Sequence, residues 1–458
     1  MKKIKKIAAL FLVLILGLSL SGCGCKKQAG VGYEIELEVW GLFDDRDAYA
    51  EIFDNYTKAY PWVKRIEYKK LAPDTYQKDL LDALAAGQGP DVFLINNSWL
   101  PSFKEKIVAS PVDIVSEKMV ADEMVDTVSR DFVDGGQVYA LPLSVNSLSL
   151  FYNKDLLNQA GITSPPKTWE EFSTDVKALT KLDEFGNITQ SGASLGTAYN
   201  INRSTDILGA LLFQNQEELI DENTGRLSVS GSGGQEALRF YTQFARSNSP
   251  VYSWNSRMHY SVDAFSEGNL AMMFNYSWQI PVLSSKAPKL NWGVAESPQA
   301  DGSRKITYAN YWGFAVAKNK SKKASVSSSG VQPVSDDIRT KESWALIRYL
   351  TLTPNVSSAS SKTANVSTGG AVFDPAAKYF EKTQNPSARR DLIQKEKEIL
   401  NIGPFALGNL YARAWRQKDP LSIESILALA IEQVISGEKT VADSLRTAES
   451  QINNILTK

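Results

Sequence analysis

The chain is poor in the side chains that most enzyme chemistry uses. Among 458 residues it has one histidine, His259, and two cysteines, Cys23 and Cys25, both near the N-terminus. A His/Cys metal cluster or a cysteine–histidine pair in the body of the chain is therefore excluded. A serine triad would have to use His259, within Arg257-Met-His-Tyr260, and no Gly-x-Ser-x-Gly elbow stands between a strand and a helix. No metal and no cofactor is expected. Net charge is -1, with 50 Lys and Arg against 51 Asp and Glu. That balance leaves no electrostatic footprint for nucleic acid.

Aromatic residues, in contrast, are plentiful: 10 Trp, 18 Tyr and 18 Phe. A core can absorb most of them, but Trp in polar loops asks for another role. The length fits two domains with ample core. With 43% hydrophobic and 22% charged residues, the composition is that of a globular protein.

The N-terminus reads as an address. Met1-Lys-Lys-Ile-Lys-Lys6 is basic, and Ile7 to Leu20 is apolar but too short for a comfortable permanent span. Residues 1–22 are expected to be a secretory signal, outside any fold reasoning. Leu20-Ser21-Gly22-Cys23 resembles the lipobox of bacterial lipoproteins. That resemblance implies cleavage before Cys23, lipidation of Cys23 and a lipid anchor at the outer face of the cell membrane, extracellular or periplasmic. Two or more acyl chains anchor stably, since each buried methylene adds about 0.8 kcal/mol. Residues 23–32 form a flexible tether by composition. The folded body then lacks a disulfide, consistent with a core large enough not to need one.

From residue 34 the pattern is strand–helix–strand. Glu34-Ile-Glu-Leu-Glu-Val-Trp40 alternates polar and apolar, Arg46 to Tyr60 is helical and stopped by Pro61, and Val63 to Tyr68 is a second strand. A helix follows Pro73-Asp74, and Asp91-Val-Phe-Leu-Ile95 is a third strand. This alternation predicts a parallel sheet, with ligand groups at the exits Gly41 to Asp45 and Asn96 to Trp99. From Val138 the chain reads as a buried strand with a single Pro, closed by the polar break Asn153-Lys-Asp155 before a helical Leu-Leu pattern. Thr168 and Glu171 predict a capping box. Lys318 to Val334 is Lys/Ser-rich and reads as a mobile surface insert.

Several of these stretches carry a family resemblance. A strand ending Trp40-Gly41, a helix ending Tyr60-Pro61 and the signature Gly87-x-Gly89-Pro90-Asp91 resemble family 1 of the extracellular solute-binding proteins of ABC importers, the maltose-binding-protein type. Phe151-Tyr-Asn-Lys-Asp-Leu-Leu157, Pro166-Lys-Thr-Trp-Glu-Glu171 and Asp263 to Trp278 are similar to the same family, as are the two helices split by Ser436 to Thr440. The resemblance covers roughly residues 34–317 and 340–458. It implies an α/β fold, two-lobed and periplasmic-binding-protein-like, with a three-segment hinge and an interlobe ligand cleft. Residues 33–145 and 310–371, with an insert at 318–340, would form the first lobe. Residues 146–309 and 372–458 would form the second, with Gly369-Gly370 marking the third crossing.

The resemblance also implies site residues. The two strand exits give Asp44, Asp45, Asn96, Asn97 and Ser98. The first crossing gives Asn146. The loop before the helix near Ser204 gives Tyr199, Asn200, Asn202 and Arg203. Trp278, and more weakly Tyr276, would stack on sugar, because pyranose rings offer apolar CH faces to a flat ring. Tyr311 and Trp312 would face the cleft from the second crossing, and Arg413 and Trp415 would lie near it. Carboxylates and amides suit vicinal hydroxyls. Other readings stay open: Asp44 and Asp45 as helix caps, Trp40 and Trp99 as core or rim, and Arg203 in an internal pair. The implied protein is a monomer and not an enzyme. It captures a carbohydrate, with aromatics and polar amides favouring an oligosaccharide, and partners the transmembrane subunits of an ABC permease. A polyol or glycerol phosphate is the rival solute. A glycosidase or a surface adhesin is the rival class. Adjacent Asp44 and Asp45 do not suit carboxylates flanking a glycosidic bond from opposite sides.

Overall fold

The computed structural model describes residues 33–216, 218–221, 224–300, 304–318, 334–354 and 372–457. The signal sequence, Cys23, the tether, most of the expected insert and Gly369-Gly370 lie outside the described residues. Two hydrophobic cores organise the chain, one around each of two sheets.

The first sheet runs Val63–Lys70, Ile35–Gly41, Val92–Asn96, Trp312–Ala317, Ile107–Val108, with Ala140–Leu141 also paired to Trp312–Ala317. The three N-terminal strands are parallel, as the alternation predicts; Trp312–Ala317 enters antiparallel. Ile35, Leu37 and Val39 point into the core, while Glu36 is exposed. The helix Asp47–Ala59 buries Tyr49, Ile52, Phe53 and Tyr56 along one stripe, the 3.6-residue spacing of an amphipathic helix. The second sheet runs Trp292–Glu296, Ser149–Asn153, Leu270–Asn275, Ile188–Ala193, Lys181–Leu182. Its flanking helix Trp169–Leu179 starts with the expected box, Thr168 accepting from the Glu171 amide and Glu171 from the Thr168 amide.

The strand expected from Val138 ends at Asn153, before the helix Lys154–Gln159, but it is not one strand. It breaks at Pro142 into Ala140–Leu141, which joins the first sheet, and Ser149–Asn153, which sits inside the second. The intervening residues are the hinge. Asn146 and Leu148 pair with the second crossing: the Leu148 amide donates to Tyr308 O at 2.8 Å and the Asn310 amide to Asn146 O at 2.9 Å. Leu143 and Val145 pair with a third segment, through Ala388 N to Leu143 O at 3.1 Å and Val145 N to Pro386 O at 3.1 Å.

That third pairing moves two boundaries. The helices Pro375–Thr383 and Arg390–Glu396 bury Ala376, Tyr379, Leu392 and Ile393 in the first core, so this lobe extends well past residue 372. The chain reaches the second core at Phe405. The expected insert at 318–340 is also shorter, because residues 336–340 open the helix Asp336–Thr351, capped by Ser335. The final helices, Pro420–Ile435 and Val441–Leu456, pack on the second core.

Candidate functional site

A cavity of about 440 Å³ lies between the lobes. Phe43, Asp44, Trp99, Trp312 and Tyr379 bound it from the first lobe, and Arg203 and Trp278 from the second. Ser144, Asn146 and Asn310 of the hinge complete it. The first wall is aromatic: Trp312 meets Phe43 edge-on at 5.6 Å and Trp99 at 4.9 Å, and Trp99 stacks on Phe103 at 5.3 Å. Phe43 is 55% exposed, unusual for a Phe unless it serves a surface.

Asp44 is the carboxylate of this wall. It accepts from Tyr49 Oη at 3.0 Å and Tyr379 Oη at 2.7 Å. Burial pushes both phenols well up, so they stay protonated and keep donating. The adjacent helix has Arg46 at its N-cap with no side-chain cap bond, so neither Asp44 nor Asp45 is its cap.

On the second wall, Trp278 follows the strand Leu270–Asn275 and opens the helix Gln279–Lys286. Buried Tyr276 backs it at 4.4 Å and donates to Asp206 at 2.8 Å. The Arg203 guanidinium lies 5.4 Å from the Trp278 ring and 6.0 Å from Tyr276. These distances place Arg203 beside both rings, and both Arg203 and Trp278 line the larger cavity. Arg203 holds a left-handed φ of 65° and leaves a buried Nε without a partner. Burial raises the carboxyls of Asp206 and Glu424, and the charge of Arg203 opposes both shifts.

A second cavity, about 100 Å³, shares Asn96, Arg203, Asn310 and Pro420 with the first. Trp415, Asn97, Ser98, Asp206 and Glu424 also line it. Asn96 donates to Asn310 Oδ1 at 3.1 Å, and Ser98 Oγ donates to Asn96 Oδ1 at 2.8 Å, so these side chains are held in place. Asn146 accepts from Ser277 Oγ across the lobes.

The structure thus gathers Asp44, Asn96, Asn146, Arg203, Trp278 and Trp312 around the larger cavity, and Asn97, Ser98 and Trp415 around the smaller. Asp45 lines a side cavity near Asp44 and pairs with Lys70 at 2.9 Å. Five expectations are corrected. Tyr311 does not face the cleft: it is 1% exposed and donates to Asp131 at 2.7 Å. Asn200 staples its own loop, donating to Asn255 O and Met258 O and accepting from Trp254 Nε1. Tyr199 is 69% exposed and lines neither interlobe cavity. Arg413 is buried in an ion pair with Glu218, itself bound to Arg130 at 3.1 Å. Asn202 donates to Tyr260 Oη and accepts from Asn275, likewise off the cleft lining.

Sequence reasoning missed Phe43, Asn310, Tyr379, Asn385 and the acids Asp206 and Glu424. Phe43 and Asn310 sat beside chosen residues. Tyr379 and Asn385 fell in a segment assigned to the other lobe, with no local signal. Among the described residues, no group of three or more His, Cys, Asp and Glu converges as a metal site.

A family profile described as bacterial extracellular solute-binding protein matches residues 41–355. The chain belongs to this family. Among curated relatives of this solute-binding protein, the maltotriose-binding protein of Pyrococcus abyssi is 25% identical over 245 residues, 51% of this chain and 49% of that protein. The maltodextrin-binding protein MdxE of Bacillus subtilis is 25% identical over 241 residues, 51% of this chain and 54% of that protein. The chain spans about half the length of the curated relatives it matches. The sugar-binding protein MalE of Xanthomonas citri superposes with a TM-score of 0.70 at 18% identity, covering 92% of this chain and 98% of that one. At that identity the likeness is one of fold: the α/β two-lobed, periplasmic-binding-protein-like architecture.

Proposed function

We propose that this solute-binding protein captures a carbohydrate, an oligosaccharide in preference to a single ring, and delivers it to the transmembrane subunits of an ABC importer. The observation that carries the reading is the cavity of about 440 Å³ with Trp312 and Phe43 on one lobe and Trp278 on the other. Flat rings on facing walls suit the CH faces of sugars, and the amides of Asn96, Asn146 and Asn310 suit their edges. The relatives named for maltotriose and maltodextrin support the same class. A ligand touching both walls favours the closed arrangement, because only contacts that differ between open and closed forms shift that equilibrium. Retention at the membrane through lipidated Cys23 follows from the sequence before it.

Asp206 and Glu424 come from one lobe, where burial and then the charge of Asp206 raise the Glu424 carboxyl, while Asp44 on the facing wall is held by two tyrosines. Capture without bond cleavage fits that arrangement. A thermal-shift screen over saccharides tests the reading. Ligand at 100 times its Kd adds about 2.7 kcal/mol, and small-angle scattering should show compaction with the same ligand. Absence of any stabilising saccharide overturns it.

A further inference from the structure

The smaller cavity carries a statement about which saccharide, and it rests on the carbohydrate reading above. At about 100 Å³ it is smaller than the roughly 150 Å³ cavities that hold a benzene ring. A second sugar ring does not enter it; a substituent of the ring beside Trp278 does, because Arg203 lines both cavities.

The lining has three chemical features. Arg203 lines the cavity and brings a guanidinium, on a backbone held at positive φ. Strained conformations persist where the surroundings impose them, and they gather at binding sites. Glu424 offers an acceptor: among the described residues no hydrogen bond or ion pair reaches its carboxylate. Leu212, Leu227 and Val229 add an apolar patch.

A substituent that satisfies all three must accept from a cation, donate to an acid and end in an apolar group. A carboxylate meets Arg203 but is repelled by Asp206 and Glu424. An ammonium meets the acids but is repelled by Arg203. A hydroxymethyl group leaves the leucine and valine side unmatched. An acetamido group meets all three: its C=O accepts from Arg203, its N–H donates to Glu424 and its methyl lies on the apolar patch. The geometry points to an N-acetylated amino sugar as the ring held at Trp278, read through the acetamido pocket of Arg203 and Glu424.

Calorimetric titration of the protein with matched pairs tests this. The pairs are N-acetylglucosamine and glucose, N-acetylgalactosamine and galactose, N-acetylmannosamine and mannose, and diacetylchitobiose and cellobiose. At least one N-acetylated member should bind tenfold or more tighter than its parent. In Glu424→Met the ratio for that pair should fall to within about threefold of unity. If neutral parents bind as well as every acetylated partner, or if Glu424→Met keeps the ratio, the acetamido assignment is overturned and the carbohydrate reading stands. If no sugar in the wider saccharide screen binds, the carbohydrate reading falls and this inference with it. The comparison of pairs on the unmodified protein needs no variant to fold.

Discussion

Arg339 holds Asp91 at two points, Nε to Oδ1 at 2.9 Å and Nη2 to Oδ2 at 2.7 Å, with 8% and 2% of the side chains exposed. Asp91 closes the Gly-x-Gly-Pro-Asp signature, and Arg339 lies on the helix Asp336–Thr351 beyond the second crossing. The same guanidinium donates to Glu36 O at 3.0 Å, and Asp91 accepts from the Glu38 amide at 2.9 Å. The pair thus ties a late helix to the first strand of the sheet. Removing one partner of a buried ion pair leaves an uncompensated charge and costs about 3–5 kcal/mol. Arg339→Met is expected to lose about 3 kcal/mol in urea unfolding, at the low end because the Glu38 amide still serves Asp91. A loss under 1 kcal/mol would show that the pair does not hold the helix.

Asp131 gives the stability a pH dependence. It is 1% exposed and accepts from Tyr311, Asn97 and Thr127. Burial raises its pKa to about 6, against the opposing effect of those donors and of Arg416. A folded pKa above the unfolded value means that the folded state binds the proton more tightly. Its contribution is therefore complete below about pH 4 and lost as pH rises through 6. Asp131→Asn removes the titration. The stability of the native protein minus that of the variant should fall by on the order of 2–3 kcal/mol between pH 4 and pH 7. Urea titrations at four pH values measure it, and a constant difference would contradict the assignment.

Tyr311 and Trp312 show what the sequence could and could not reveal. The strand after them was legible from its apolar run, and so was its return to the first lobe. Neighbouring side chains near a strand face opposite ways, and a one-residue change of register exchanges them. Pattern alone therefore could not decide which ring met the cleft; Phe132 and Asp131 decide it by enclosing Tyr311. Likewise Thr168 and Glu171 form a local motif and were readable. Tyr379 reaches Asp44 across 335 positions, which no local period reports. The break at Pro142 was visible as a Pro, but hydrophobicity reports burial, not which of two cores supplies it.

Trp278 and Tyr199 separate cleft from surface. Trp278 lines the larger cavity, whereas Tyr199 lines neither interlobe cavity. Centrally placed Trp residues commonly contribute 2 kcal/mol or more to binding. With any saccharide that stabilises the protein, Trp278→Ala is expected to weaken Kd about thirtyfold, and Tyr199→Ala less than twofold. Equal effects in calorimetry would place the ligand elsewhere.

Arg203 pays in stability for its position. A non-glycine residue at φ 65° sits in the left-handed region, at a cost of roughly 1–2 kcal/mol. Glycine adopts that conformation freely but has a more flexible unfolded chain, which returns part of the gain. Arg203→Gly also withdraws the charge that opposes the upward shifts of Asp206 and Glu424, so the strain is read at pH 4, where protonation removes most of that loss: there the variant should be as stable in urea as the native protein or up to about 1 kcal/mol more stable. It should also bind its saccharide at least tenfold more weakly, since the guanidinium shared by both cavities is gone. Stability and affinity moving in opposite directions is the signature of strain kept for a ligand. If both fall together, Arg203 is holding the fold through its contacts with Trp278 and Tyr276, and the strain has no functional counterpart.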